Sequence, residues 1–246
     1  MARRTNGAAE PEAAEPRAMM VYRALRRAVI EGALAPGLKL PEDAIGENLG
    51  VSRTLVREAF MRLAAEGLVD LKPNRGAFVA HPSLEEGRHI FAVRGSLERL
   101  VVATLAGALT RAQVAALEAH VEAERRAQGH DEPESIRLAG EFHMLLAEMT
   151  GNALLARYVG EVSSRCSLIL ALYGRPHSSE CAVSEHSEII AALVAGDAAG
   201  AERIMSGHLE AVMGRALLAP RRPQDIGTVL AAYGEAVGLN RARERA

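Results

Sequence analysis

The 246-residue sequence predicts a mainly α protein, with a two-helix unit and a small β-hairpin in front of an all-α bundle of six or seven helices. Near the N-terminus, two amphipathic stretches are separated by little more than Gly50 and Val51, and a strand–turn–strand pattern follows them. Farther on, only Pro133 and Pro176 interrupt residues 83–219, and strand-like alternation is absent there, so long helices are the economical reading. A hydrophobic content of 49% supplies enough apolar side chains for one or two cores and excludes a chain that is disordered throughout.

Each element has its own local signal. Residues 1–17 are Ala, Glu, Pro and Arg without apolar periodicity and predict a flexible arm. From Met19, Val21, Leu25, Ala28 and Val29 share one helical face, with Arg23, Arg26 and Arg27 opposite, until Gly32. Pro36-Gly37 is a turn signal, and Leu38 and Leu40 alternate as a short extended piece does. Glu42 to Leu49 predicts a short helix closed by Gly50; Ser52 then caps a second helix whose stripe is Val56, Ala59, Phe60 and Leu63, ending at Gly67. Two helices joined by such a turn form a helix-turn-helix, and LVDLKPNRGAFVA after it reads as a β-hairpin wing with Pro73 to Gly76 at its tip. The predicted division is a winged helix-turn-helix over 18–80, a linker at 81–84, a helical domain over 85–219 and a partly helical tail over 220–246. Within the bundle, helices are expected near 86–109, 111–128, 133–150, 153–174, 179–195 and 198–218, with a weak amphipathic stretch from Ile226 to Val237 in the tail.

Composition limits the setting. Cys166 and Cys181 are too few for a disulfide framework or a cysteine-based zinc module, and the N-terminal residues hold no apolar run of the secretory type, so a cytoplasmic protein is expected. No uninterrupted apolar stretch approaches the roughly 18 residues that cross a bilayer. The formal charge is −2, and residues 1–80 carry only 12 basic against 10 acidic side chains, so nucleic-acid binding has to be argued from local clustering.

That clustering sits on the second helix of the pair. Ser52, Arg53 and Thr54 occupy its first turn and Arg57 the next, opposite the Val56/Phe60/Leu63 stripe. Arginines fork onto guanine O6 and N7, while short hydroxyls and helix N-terminal amides take phosphates. Arg75 at the wing tip, with Arg23, Arg26 and Arg27 on the first helix, adds candidate phosphate contacts.

The run IEGALAPGLKLPEDAIGENLGVSRTLVREAFMRLAAEGLVDLKPNRGAFV closely resembles the DNA-binding domain of the GntR family of bacterial transcription regulators, over essentially all of residues 19–80. The resemblance implies that Arg53, Thr54 and Arg57 read operator bases and that Ser52 and Arg75 lie near the backbone or minor groove of double-stranded DNA. Leu55 departs from the proline common there; this early helical position accepts proline without requiring it.

In the predicted bundle, three histidines lie on apolar faces: His143 beside Ala139 and Leu146, His186 beside Val183, Ile189 and Ile190, and His208 beside Ile204, Met205, Ala211 and Val212. One such histidine is ordinarily a core residue with a satisfied hydrogen bond. Three on three helices of one bundle form a donor set for Zn²⁺, Ni²⁺ or another ion that accepts nitrogen. Arg94 falls within the inward stripe of Ile90, Phe91, Leu97, Val101 and Leu105, where a guanidinium needs an anion: either Glu98 one turn on, or an effector carboxylate gripped bidentately.

The stretches FAVRGSLERLVVATLA, EFHMLLAEMTGN and SEHSEIIAALVAGDAAGAERIMSGHL resemble the ligand-binding FCD domain of FadR-type GntR regulators, over about residues 85–218. Many such domains hold a metal through one Asp and three His. Here the resemblance carries over to His143, His186 and His208, but Ala139 stands where the Asp is expected. Glu141, two residues before His143, points about 200° around the helix and does not take its place.

These features lead to a ligand-responsive repressor, not an enzyme: a homodimer on a palindromic operator, sensing a small organic acid through Arg94, the three histidines and a divalent metal. Two alternatives stay open at this stage. One is a metal-dependent enzyme with a DNA-binding head, although HExxH, a nucleophile elbow and a phosphate loop are all missing from the sequence. The other is a metal-free domain whose histidines bind the effector directly.

Overall fold

The structure is a computed structural model that describes residues 16–173, 179–215 and 226–238. Its N-terminal part contains α1 (Arg17–Ile30), β1 (Lys39–Leu40), α2 (Glu42–Leu49), α3 (Arg53–Ala65), β2 (Val69–Lys72) and β3 (Gly76–Val79). Gly50 ends α2 with φ +63°, the left-handed geometry that lets the chain turn sharply into α3. Ser52 then opens α3, its Oγ accepting from the Leu55 amide at 3.5 Å. Together α2 and α3 make the expected helix-turn-helix.

The short extended piece around Leu40 joins the wing. The antiparallel sheet has strand order β1-β3-β2, with Leu40 opposite Ala77 and Val69 opposite Val79. Leu40, Ala77 and Val79 face inward onto Val21, Leu25, Phe60 and Leu63, so the wing closes the same core that the helices build.

The helical part follows as α4 (Leu84–Leu105), α5 (Arg111–Ala127), α6 (Glu132–Met149), α7 (Ala153–Tyr173), α8 (Ser179–Ala195) and α9 (Ala198–Arg215). Polar caps set the helix starts: Ser83 Oγ accepts from Glu86, and Thr110 and Gln113 bond each other's backbone in a capping box. Val102, Leu117, Phe142, Leu146, Ile189 and Met205 anchor its core. No helix among the described residues is long and apolar enough to cross a membrane.

Boundaries differ from expectation at two joints. Arg17 and Leu84, read as the last residues of the arm and the linker, are the first residues of α1 and α4. The arm over 1–15, the break near Gly174, the end of the last bundle helix near 218 and the charged C-terminus lie outside the described residues. The tail does supply a helix, α10 (Ile226–Ala236), which packs across α1 and α2 and puts Val229 and Leu230 into the core of the N-terminal head.

Head and bundle also meet through polar contacts. Arg165 on α7 donates to the Glu66 carbonyl at 3.0 Å, setting a cation at the negative end of α3. Gly67 follows in the left-handed region, φ +72°, and a Cβ there would sit 2.5 Å from the Arg165 guanidinium. Arg26 completes this joint, donating to Glu66 at 3.0 Å and to Ser164 at 2.6 Å.

Candidate functional site

Three helices carry the histidines to one point. His143 comes from α6, His186 from α8 and His208 from α9, and their exposures of 2%, 0% and 3% mark them as core residues. Ring centroids lie 5.2 Å apart for His143 and His186, 4.8 Å for His186 and His208, and 5.1 Å for His143 and His208. One ring nitrogen of each falls within 4.8 Å of the others. Phe142 stacks on His186 with centroids 3.9 Å apart, so an apolar wall fixes that ring's plane.

The outer side of every ring meets a carboxylate. Glu98 on α4 binds Nδ1 of His143, Glu124 on α5 binds Nδ1 of His186 at 2.8 Å, and Glu185 on α8 binds Nδ1 of His208 at 2.6 Å. A ring whose Nδ1–H donates to a carboxylate presents Nε2 as a lone pair. Nε2 of His143 and of His208 stand 3.2 Å apart, and Nε2 of His186 is buried with no hydrogen-bond partner. Lone pairs facing each other at that distance repel unless a proton or a cation lies between them. A tetrahedral ion with metal–nitrogen bonds of roughly 2.0–2.1 Å sets its nitrogens about 3.3 Å apart, close to the observed separation. The donor set therefore fits a borderline transition ion that prefers nitrogen.

The rest of the neighbourhood is anionic behind the rings and neutral between them. Ala139 contributes no ligand, and Glu141 is drawn away by Arg137 at 2.7 Å, as its helical angle implied. Glu185, next to His186 in the chain, instead reaches the ring of His208 on the neighbouring helix. Burial alone would raise the Glu98 carboxyl, but the Arg94 and His143 charges outweigh it and hold it well below the usual range. Burial, reinforced by the Arg94 charge, pushes His143 and His208 down, so both rings are neutral near pH 7.

Arg94 is buried and donates from Nε to Glu98 at 2.5 Å, and Cys166 also contacts it. Its charge acts on two of the histidines, which places it beside the cluster with its inner anion already in hand. The Glu98 partner named from sequence is thus realised. Glu124 was missed; it lies 62 residues from His186 in the chain, and nothing local to either residue pairs them.

The head presents its candidate DNA residues outward. Ser52, Arg53, Thr54 and Arg57 are exposed on α3, where Arg53 pairs with Asp43 and Arg57 with Glu42 at 2.7 Å. Arg75 is exposed at the wing turn, where Asn74 takes φ +58°, and its guanidinium and the Lys72 ammonium both lie against the Phe78 ring. Arg26 is held by Glu66 and Ser164 at the joint with the bundle, and Arg27 pairs with Glu31 one turn on.

Comparison with known proteins agrees with this two-part architecture. Residues 17–79 match the family model for bacterial regulatory proteins of the gntR family, and residues 89–211 match the FCD domain. The HTH-type transcriptional repressor RspR of Escherichia coli (strain K12) is 28% identical over 200 residues, covering 80% of this chain and 88% of its own. The HTH-type transcriptional regulator LutR of Bacillus subtilis (strain 168) is 31% identical, covering 72% of this chain and 91% of its own. A solved GntR-type regulator from Rhodococcus sp. RHA1 superposes with a TM-score of 0.73 at 26% identity, over 83% of this chain and 99% of that one. The E. coli McbR/YncC structure shares the fold, with a TM-score of 0.75 at 24% identity over 82% of this chain and 97% of that one. With both domains matched and its relatives regulators of the same build, the chain belongs to the GntR family of bacterial regulatory proteins and is a transcriptional regulator with an FCD effector domain.

Proposed function

We propose that this regulator is a cytoplasmic repressor that binds a palindromic operator as a homodimer and is controlled by a small carboxylate sensed in the FCD domain. The working parts are a DNA-binding head over 18–80 and a sensing domain over 85–219, joined at 81–84. Ser52, Arg53, Thr54, Arg57 and Arg75 meet DNA. His143, His186 and His208 hold a divalent ion, Zn²⁺ or Ni²⁺, and Arg94 adds a cation beside it for the effector. The repressor sign draws support from RspR, which is named a repressor.

One observation carries the sensing half: three buried imidazoles, each backed at Nδ1 by a carboxylate, turn their remaining nitrogens toward one another. When bound, the ion supplies a Lewis-acidic anchor for an anion, and three protein ligands leave it an open position. The side chains of this chain do the rest. Glu98, Glu124 and Glu185 fix the tautomers, Phe142 fixes one ring plane, and the alanine at 139 leaves room where a carboxylate would stand. For the effector to regulate, it must favour one arrangement of the heads over another, since a ligand of equal affinity for both shifts nothing.

The test is metal analysis and DNA binding on untagged full-length protein. One ion per chain in the wild type, lost in His186→Ala with the fold retained, supports the metal centre. Metal-free protein that still binds small carboxylates in an Arg94-dependent way would replace this reading with direct recognition by the histidines.

A further inference from the structure

Glu31 is a buried carboxylate in an unfavourable place. It is the C-cap of α1, where the helix dipole already presents negative charge, and it is only 4% exposed. Three groups from three parts of the chain compensate it. Arg27, one turn back on α1, lies at 2.7 Å; Arg137 on α6 brings its Nε to 3.5 Å; and the Tyr233 hydroxyl on α10 donates to Oε2. The head, the sensing bundle and the C-terminal helix thus converge on one side chain.

The Arg137 contact is incomplete. Its Nε is buried and has no hydrogen-bond partner, while its other nitrogens are held by Glu134 at 2.9 Å and Glu141 at 2.7 Å. A small displacement of α6 decides whether that buried donor closes on Glu31. The same helix carries His143 six residues later, about 9 Å along its axis, so a movement of the sensing histidine moves Arg137 with it. On the other side of the joint, Tyr233 belongs to a helix that lies outside both family matches yet supplies Val229 and Leu230 to the head's core.

We propose that Glu31 is a positioning residue that joins α6 and α10 to the DNA-binding head, so that the state of the sensing domain reaches operator binding through the Arg137–Glu31–Tyr233 contacts. The proposal rests on the DNA-binding reading given above, and on the metal reading only for the identity of what moves α6.

A double-mutant cycle tests it with full-length, metal-free protein and a fragment selected by that protein from random-sequence DNA. Glu31→Gln and Arg137→Gln should each change the Kd for that fragment by about fivefold or more, in the same direction, and the double variant should change it no further than the larger single effect. Additive effects, or single effects within about twofold, overturn the proposal. If Glu31→Gln does not fold, Tyr233→Phe, which removes one hydrogen bond, replaces it with the same expectation. Zn²⁺ uptake at the wild-type stoichiometry should persist in these variants, because none touches the histidines, and any change in Zn²⁺ affinity is the reciprocal of the coupling. A wild type that takes up no Zn²⁺ removes the metal reading, while the cycle still decides on the joint.

Discussion

Nε2 of His143 and Nε2 of His208 face each other at 3.2 Å in the interior of the FCD domain, each ring tethered by its opposite nitrogen to a carboxylate. Two neutral rings so arranged hold their lone pairs against each other, an arrangement that a shared cation relieves.

Adding Zn²⁺ to metal-free protein should therefore raise its thermal stability, by about 2.7 kcal/mol when free ion is a hundredfold above Kd. His143→Ala and His208→Ala should remove the gain. Differential scanning calorimetry with and without Zn²⁺ reads it, and an unchanged gain in both variants would place the ion elsewhere.

The carboxylates behind the rings should matter nearly as much as the rings themselves. Glu98→Gln and Glu124→Gln are expected to weaken Zn²⁺ binding by about 10–100-fold, the usual effect of losing such an outer partner. Competition against a chromogenic chelator measures this. Glu98→Gln also strips the buried Arg94 of its anion, so it should be the more destabilising of the two.

Acid should destabilise the metal-free protein. His143 is pushed down to about 3 and His208 is shifted the same way, chiefly by burial, whereas an unfolded histidine titrates near about 6.5. Between those values the unfolded chain takes up protons that the folded one refuses, so the stability these rings contribute is full above about pH 6.5 and lost as pH falls below it. His120 opposes this: burial is the largest single influence and lowers it, but hydrogen bonds to Glu124 and to the Leu138 carbonyl, with the charges of Glu124 and Glu141, together raise it, so its contribution is present at low pH and lost as pH rises. Because the His143 shift is large and the lowered carboxyls of Glu98 and Glu124 also lose stability in acid, urea unfolding in the presence of a chelator should show lower stability at pH 5 than at pH 7. Equal or greater stability at pH 5 would contradict the buried, neutral assignment.

Arg57→Ala should reduce binding to a selected operator by about 1–3 kcal/mol, the worth of one bidentate base contact. Because Glu42 holds Arg57 at 2.7 Å in the free protein, Glu42→Gln should tighten DNA binding by freeing it. Fluorescence anisotropy at fixed salt measures both, and a wild-type Kd in Arg57→Ala would remove this residue from the interface.

Much of this was legible in the residues. The bounds of α2, the Ser52 cap and the turn at Gly50 follow from local chemistry, and the structure reproduces them. The three histidines were legible because each sits among apolar neighbours at helical spacing. Their partners were not: Glu124 and Glu185 look like ordinary polar positions until α5, α8 and α9 pack, since sequence periodicity reports which face is buried and not which helix it meets. The partners of Arg26 and Arg27 were hidden for the same reason; a basic face opposite an apolar stripe reads as solvent or phosphate, and here it meets α7 and a buried acid. Glu31, ahead of a glycine turn, carried no signal at all.

Leu230 is fully enclosed and Val229 nearly so, both among residues of the head rather than of the bundle to which the chain's C-terminal half otherwise belongs. A fragment cut after the wing would keep every residue proposed to meet DNA but would open a greasy notch between its first two helices. Such a fragment should clump or melt early on its own, and a synthetic peptide spanning residues 226–238 should restore it in trans.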